Sequence, residues 1–289
     1  MRRALRFGVY PASVAAVLFG THHLVRSGVH PALVLGVGGL AFVVFLALLE
    51  RVAPFEPTWI EPRNDVRTDV AHGVLTWSLM PALLEPWIVA GLAVVAAHLS
   101  SDGALWPSIR LPEPFGWFEL PAQVGLAALV SELGTYGLHR AMHRVPWLWR
   151  LHRVHHSPAR LYWLNGARFH PLDLALSLVV QLSPLVLLGT PPHVILLFTA
   201  WTSMHAFFRH SNVHVSLGWL NYVVSMAEVH RLHHEPVRTS QNYGALLSVW
   251  DLVFRTFRFP AEPVREVGLP ETDRVSQTYL GQLWDPFRR

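Results

Sequence analysis

The chain of 289 residues is 52% hydrophobic and only 15% charged, whereas soluble domains usually carry about 25% charged residues. With a mean hydropathy of +0.31, this composition favours a membrane-embedded body over a soluble globule. The absence of Cys excludes disulfide frameworks, thiolate zinc sites, iron–sulfur clusters and cysteine nucleophiles. Histidine is unusually frequent, because 18 His accompany 19 Asp and Glu.

Apolar runs long enough to cross about 30 Å of hydrocarbon follow one another along the chain. Residues 9–25 predict a retained first span, and residues 32–49 predict the clearest one because they carry no charge. Residues 73–98 hold Glu85 next to Pro86, so they predict either one kinked span or a re-entrant pair.

Three further apolar segments complete the predicted membrane region. Residues 123–138 predict one span, and residues 172–188 and 193–208 predict a hairpin closed by a Gly-Thr-Pro-Pro turn that blocks helix continuation. We therefore predict an all-α polytopic membrane helical bundle of about six spans, or four spans plus re-entrant segments, with a helical His-rich cap on the cytosolic side. Its predicted parts are N-terminal spans and linker (1–120), a catalytic domain (121–260) and a C-terminal tail (261–289), with a polar inner-side linker over residues 51–69.

The cationic side chains predict which way the bundle faces. All 23 are Arg, and they lie at the ends of apolar runs rather than on one polar face, so no nucleic-acid partner is expected. With six spans and the N-terminus inside, 21 Arg fall on the inner side and only Arg26 and Arg110 on the outer side. This bias predicts a bacterial inner-membrane protein whose His-rich cap is cytoplasmic.

Eight histidines on that predicted inner side form three clusters with helical spacing. Residues three or four apart share a helix face, so each cluster could direct its imidazoles toward one point, and the two-span hairpin returns the later cluster to the same side as the earlier ones. The clusters are His139 and His143, then His152, His155 and His156, then His230, His233 and His234. Neutral imidazole is a common ligand for zinc, copper, iron and nickel, so the pattern predicts metal binding.

Isolated histidines are interpreted differently, because a single His on an apolar face is more often a packed side chain than a ligand. That interpretation applies to His22, His23, His30, His72, His98 and His193. A mononuclear zinc site needs at most four ligands, so eight clustered His predict two metal ions. Haem is the runner-up, but a bis-His haem would take its ligands from within facing spans.

Several segments around these clusters match a known family. They are Leu148-Trp149-Arg150-Leu151-His152-Arg153-Val154-His155-His156-Ser157, Asn165, Arg168-Phe169-His170-Pro171, His210-Ser211-Asn212-Val213, Asn242-Tyr243-Gly244, Trp250-Asp251 and Phe254. Together with the order HxxxH, HxxHH and HxxHH, they make roughly residues 127–260 resemble the fatty acid hydroxylase or sterol desaturase superfamily of integral-membrane non-haem di-iron oxygenases.

The resemblance implies two iron ions held by the eight clustered His, with His210 as a further ligand and His170 and His214 as weaker candidates. It implies an enzyme that uses O2 and electrons from a separate reductase, ferredoxin or cytochrome to hydroxylate or desaturate a C–H bond of a sterol-like, fatty-acyl or related lipid. Polar neighbours that could orient the ligands are Asn165, Arg168, Asp173, Glu228, Asn242 and Asp251, with Glu132 a further carboxylate of this kind. No catalytic residue beyond the metal ligands is predicted.

Two other functions remain open at this stage. A His-rich membrane protein that binds or transports metal would place His or acidic residues along a path through the spans. A zinc-dependent membrane hydrolase would use the same His clusters without O2.

Overall fold

The computed structural model describes residues 2–99, 105–236 and 241–288, with side chains from Arg6 onward. Arg238 and Arg289, two of the arginines on the predicted inner side, lie outside the described residues. The described chain is helical throughout and holds no β-strand, only two isolated β-bridges. Its helices are α1 (Arg2–Arg26), α2 (Pro31–Val52), α3 (Val66–Ala71), a π-helical segment (His72–Leu79), α4 (Met80–Leu99), α5 (Glu119–Arg144), α6 (Pro146–His156), α7 (Pro171–Leu187), α8 (Pro192–His210), α9 (Ala227–His233), α10 (Val249–Val253) and α11 (Tyr279–Trp284). The all-α prediction is confirmed.

Proline sets the start of the helices that matter most for the site. Pro146, Pro171 and Pro192 stand at the first positions of α6, α7 and α8, where the missing N–H costs nothing and the fixed φ already suits a helix. Gly189, with φ of 72°, turns the chain after α7. The structure therefore shows the two predicted helices and the short turn between them, with α7 packed against α4 and α5 and α8 packed against α1 and α5.

Two helical runs are long and apolar enough to be candidate membrane spans within the described residues. One is α2, and the other is the continuous 34-residue run Val66–Leu99 that joins α3, the π-helical segment and α4. Residues 73–98 are therefore one continuous helical run and not a re-entrant pair. At 1.5 Å per residue, α2 measures about 33 Å, close to the thickness of the hydrocarbon layer.

The outward faces of these two runs suit lipid. Leu40 and Leu48 of α2 are 65% and 60% exposed, and Leu83 and Trp87 of α4 are 60% and 79% exposed. Side chains this apolar would form a large patch unfavourable in water. The structure thus supports membrane association, whereas six spans remain a prediction.

Two of the apolar clusters in the described residues hold the long helices together. In one, Ala127 and Ala128 of α5 pack with Leu185 of α7 and Leu197 of α8. In the other, α1, α2 and α8 meet, with Tyr10, Leu46 and Phe208 at the centre. Because α5 and α8 take part in this packing and both end at the level of α6 and α9, the His-bearing ends of all four helices come together.

The segment predicted as a linker, residues 51–69, is packed against this end of the bundle. The backbone N–H of Phe55 donates to the Asn212 carbonyl at 2.9 Å, and the N–H of Glu56 donates to the Asn212 side chain at 2.9 Å. At the far end of the segment, Asp69 is fully buried and pairs with Arg168 at 2.9 Å. The segment is therefore part of the support for the His-rich region.

Candidate metal centre

Nine buried histidine side chains form two groups at the meeting point of α5, α6, α8 and α9. The five-His group contains His139, His143, His152, His156 and His233, and the four-His group contains His155, His210, His230 and His234. Within each group, one ring nitrogen of every residue lies within 4.8 Å of one ring nitrogen of every other. The structure thus brings together all eight clustered His and also His210.

The two HxxHH segments divide their histidines in opposite ways. In α6, the residues four apart, His152 and His156, belong to the five-His group, and His155 belongs to the four-His group. In α9 and the residue after it, His230 and His234 belong to the four-His group, and His233 belongs to the five-His group. Each segment therefore supplies both groups and ties them together.

Hydrogen bonds fix the protonated nitrogen of several rings in the five-His group. His139 Nδ1 lies 2.7 Å from the Tyr243 carbonyl oxygen, and His233 Nδ1 lies 2.9 Å from the Gln241 carbonyl oxygen. A carbonyl oxygen can only accept, so the proton resides on Nδ1 and the lone pair on Nε2. His152 Nδ1 likewise lies 2.8 Å from Asp173 Oδ2, the arrangement that orients metal-binding imidazoles.

Three Nε2 atoms of the five-His group are available to bind a ligand. His139 Nε2, His152 Nε2 and His156 Nε2 are buried and have no hydrogen-bond partner among the described residues. Buried polar atoms are nearly always paired, so these nitrogens need a partner that the described residues do not supply. A metal ion meets that need.

The four-His group gives a more direct indication. His155 Nδ1 donates to the Arg168 carbonyl at 3.1 Å and His210 Nδ1 donates to the Ala206 carbonyl at 2.6 Å, so both Nε2 atoms carry lone pairs. These two Nε2 atoms nevertheless lie 3.1 Å apart. Two nitrogen ligands at about 2.1 Å from one ion and at a right angle are about 3.0 Å apart. The spacing fits two ligands of a shared cation and would be repulsive without one.

Burial lowers the pKa of several of these imidazoles. Loss of solvent lowers the pKa of His156 and His234 well below 6.5, and the neighbouring imidazoles lower it further. Burial also lowers the pKa of His233 to about 3, against a smaller opposing effect of the Gln241 carbonyl. Since only the neutral ring binds a metal, the chain presents its ligands in the required state at neutral pH.

Comparison with known proteins supplies the family. The sequence model of the fatty acid hydroxylase family matches residues 124–256, a range that includes all nine histidines. An ornithine lipid hydroxylase of Rhizobium tropici is 34% identical over 287 residues, which cover 97% of this chain and 83% of that protein. The chain belongs to the fatty acid hydroxylase family. It is therefore an oxidoreductase.

More distant relatives in the same superfamily share the central region. The alkylglycerol monooxygenase of Homo sapiens is 28% identical over 260 residues, covering 85% of this chain and 54% of that protein. A Delta(7)-sterol-C5(6)-desaturase of Nicotiana tabacum is 28% identical over 185 residues, covering 61% of this chain and 64% of that protein. This fatty acid hydroxylase family member thus spans about half the length of the human relative. No solved structure matches it.

In this family member, Asp173 contacts a histidine directly, as described above, and Arg168 does so through its carbonyl. The Arg168 guanidinium donates to Asp69 at 2.9 Å, and Asn165 donates to the same carboxylate at 3.2 Å. Arg168 and Asn165 therefore hold the backbone carbonyl that accepts the His155 hydrogen bond, and their side chains make no hydrogen bond to a histidine of either group in the described part of the chain.

Asn242 and Asp251 support the histidine groups indirectly, because they hold the turn formed by residues 241–244. Asp251 accepts from the N–H groups of Tyr243 and Gly244 at 2.8 and 2.7 Å. Asn242, at φ of 53°, donates to the Val229 carbonyl at 3.0 Å. These contacts fix the turn 241–244. The Tyr243 and Gln241 carbonyls of this turn accept hydrogen bonds from His139 and His233.

The carboxylates Glu228 and Glu132 lie further from the rings. Glu228 accepts from the Ser216 hydroxyl at 2.7 Å and from Asn221 at 2.6 Å, which holds the start of α9. Glu132 accepts from the backbone N–H of Ala245 and, at 2.9 Å, of Leu246. Glu228 also accepts from the backbone N–H of Leu217 at 2.6 Å. Both carboxylates therefore hold neighbouring segments in place and are not hydrogen-bonded to an imidazole among the described residues.

Three histidines outside the clusters have other partners. His170 precedes α7, where its Nδ1 accepts from Leu172 N–H at 3.1 Å and its Nε2 donates to the Leu283 carbonyl at 3.2 Å. His214 is exposed and lies edge-on to Phe55, with ring centroids 5.9 Å apart. His205 in α8 is hydrogen-bonded to the Tyr10 hydroxyl and to the Ser225 carbonyl. The structure places all three outside both groups.

Sequence reasoning did not single out Asp69 or Phe169. Asp69 binds Arg168, Asn165 and, at 2.7 Å, the Tyr162 hydroxyl. The Phe169 ring stacks on His155 with centroids 4.2 Å apart. The only sequence signal for Asp69 was a carboxylate just before an apolar run, and Phe169 had none beyond its place in the family-like motif.

A cavity of about 190 Å³ leads away from the two groups between α4, α5, α7 and α8. His139, His152 and His155 line one end of it, beside Phe169 and Trp77. Most of the lining surface is apolar, although ten of the other lining residues are polar or charged. A long apolar molecule could therefore reach both histidine groups from the membrane region.

Proposed function

We propose that this chain is a membrane lipid oxygenase with two iron ions, which hydroxylates a C–H bond of a lipid. The observation that carries the proposal is the position of two histidine groups, one of five rings and one of four, at the end of an apolar cavity. In the overall reaction, one atom of O2 enters the C–H bond and the other leaves as water, with two electrons and two protons taken up. Hydroxylation is preferred to desaturation because the relative that covers 97% of the chain is named a hydroxylase.

When bound, iron supplies the redox chemistry that activates dioxygen. The chain's own part is to hold imidazoles in one protonation state, through carbonyl and carboxylate acceptors at Nδ1. It also excludes water, because every one of the nine rings is at most 9% exposed. Phe169, stacked between His155 and Trp77, forms an apolar wall at the point where a lipid chain would approach.

The proposed reaction takes up two electrons from outside the site. We propose that a separate reductase, ferredoxin or cytochrome delivers them from the cytoplasmic side of a bacterial inner membrane. The support is the distribution of arginine, which places 21 of 23 on the side of the histidine groups in a six-span arrangement.

Two measurements on the purified chain and its host test the proposal. Metal analysis should find about two iron ions per chain, and lipids from cells with the gene should carry one added oxygen atom that derives from labelled dioxygen. His155→Ala should remove the modified lipid, and His22→Ala, remote from both groups, should not. Stoichiometric zinc with lipid cleavage that needs no O2 would instead support a hydrolase. Metal accumulation without lipid change would support transport.

A further inference from the structure

Three polar side chains lie along the apolar cavity at a distance from the histidines. They are Glu85 of α4, Gln181 of α7 and Ser203 of α8, and each is partly buried and lines the cavity. We call them the mid-cavity polar group. None of the three side chains makes a hydrogen bond or ion pair within the described part of the chain. A pocket that is mostly apolar with a few polar groups converging on it is typical of ligand recognition.

Glu85 is the most unusual of the three. It is the only Asp, Glu, Lys or Arg between residues 73 and 99, in a run apolar enough to span a membrane. An ionisable side chain at such a position is costly unless it faces a partner, and it generally marks a functional site.

Other charged residues on the cavity are already engaged. Glu132 accepts from two backbone N–H groups, and Arg209 donates to the carbonyls of Gly244 and Ala245. Asp173 accepts from His152. Glu85 is the carboxylate on this cavity that protein contacts leave unused.

Each member of the mid-cavity polar group lies about two helical turns along its helix from a residue at or near the histidine groups. Glu85 follows Trp77 by eight residues, and Trp77 stacks on the Phe169 ring that covers His155. Gln181 follows Asp173 by eight residues, and Ser203 precedes His210 by seven. At 1.5 Å per residue, seven or eight residues correspond to about 10 to 12 Å along the helix from Trp77, Asp173 or His210.

We propose that the mid-cavity polar group, with Glu85 as its main residue, binds a hydrogen-bond donor of the substrate lipid. The donor is an ammonium, amide N–H or hydroxyl group, and it lies about 10 to 12 Å from the carbon that reacts. This inference rests on the proposed function, since it takes the cavity as the lipid site. It predicts that the enzyme selects lipids by two features. One is the apolar chain that enters the cavity, and the other is a polar group of the lipid that binds inside the bundle.

The test measures binding without turnover. Full-length protein in lipid nanodiscs is photolabelled with three 16-carbon probes that carry the same mid-chain diazirine and end in an amine, a hydroxyl or a methyl group. In the wild type, the amine and hydroxyl probes should reach half-maximal labelling at a mole fraction about tenfold lower than the methyl probe, as expected for a hydrogen bond to a charged acceptor. Glu85→Leu should make all three probes equal.

Two further variants make the result specific. Glu85→Gln keeps an acceptor but removes the charge, so it should retain the preference for the hydroxyl probe and lose the additional preference for the amine. Leu83→Ala is the matched control, because Leu83 lies on the same helix, is 60% exposed and does not line the cavity. It should behave as the wild type.

Equal labelling by the three probes in the wild type would overturn the inference, as would a preference that survives in Glu85→Leu. If Glu85→Leu fails to fold, the altered ratio of amine to hydroxyl labelling in Glu85→Gln decides the question. A wild type that shows the preference but oxidises no lipid would refute the proposed function and leave the binding site standing.

Discussion

The two HxxHH segments have the same spacing and opposite surroundings. The one in α6 is supported by a side chain and by an ion pair: Asp173 accepts from His152, and Asp69 pairs with Arg168, whose carbonyl accepts from His155. The one in α9 is supported by the turn 241–244, through the Gln241 carbonyl that accepts from His233. The two identical motifs are therefore held in place by different contacts. Substitutions can remove the contacts of one motif without touching those of the other.

The largest effect should come from the two histidines that cross between groups, His155 and His233. Each Ala variant removes one ring from a different group, so we expect loss of about one metal ion per chain and a decrease in lipid oxidation of more than about 100-fold. Metal analysis and product quantification measure both quantities. Membrane insertion should be unchanged, because the apolar helices do not depend on these rings. Full activity in either variant would contradict the assignment of the two groups.

Removing the ion pair beneath α6 should destabilise the fold next most. Asp69→Asn leaves the buried Arg168 guanidinium without its charged partner, which we expect to cost about 3 kcal/mol of unfolding free energy. Thermal unfolding in detergent micelles measures the change. Glu61→Gln, at an exposed position of the same segment, is the matched control. A midpoint for Asp69→Asn equal to that of the control would show that the pair is dispensable.

Variants of Asp173 test the support that a side chain gives to a histidine, because Asp173 accepts a hydrogen bond from His152. Asp173→Ala should lower metal affinity about 10- to 100-fold, because His152 loses the acceptor that fixes its tautomer, and Asp173→Asn should recover part of the loss. Competitive metal titration measures the affinity. Ser177→Ala, which removes only a 3.4 Å contact to the same carboxylate, should have little effect. Equal affinities for the Ala variant and this control would argue against the role of Asp173.

The turn that supports α9 should be sensitive at Gly244. A Cβ there would meet the Leu247 carbonyl and lie 2.9 Å from Asp251 Oδ2, so Gly244→Ala should displace the carboxylate that holds the turn and cost about 1 to 3 kcal/mol. Gly137→Ala in α5, where a Cβ would meet nothing within 4 Å, should be neutral or slightly stabilising. Thermal unfolding compares the two, and a neutral Gly244→Ala would mean that the turn can shift without loss.

The helices of the site were predictable in type and approximate extent. Apolar runs and proline positions depend on neighbours in the sequence, so α7, α8 and the turn between them follow from local chemistry. For residues 73–98 the sequence left a kinked span and a re-entrant pair open, and the structure shows one continuous helical run. The packed state of residues 51–69 did not follow from local chemistry, because Phe55 and Asp69 have partners about 100 to 160 residues away.

The sequence alone determined that imidazoles four apart share a helix face, and hence that His152 lies beside His156 and His230 beside His234. Only the tertiary structure decided to which group the histidine three residues after the first one, His155 or His233, belongs. That residue lies about 60° around the helix from the first, so its partners depend on where the neighbouring helices lie. The carbonyls of Gln241, Tyr243 and Arg168 were equally invisible, since every residue carries a carbonyl and only the fold selects which of them meets an imidazole.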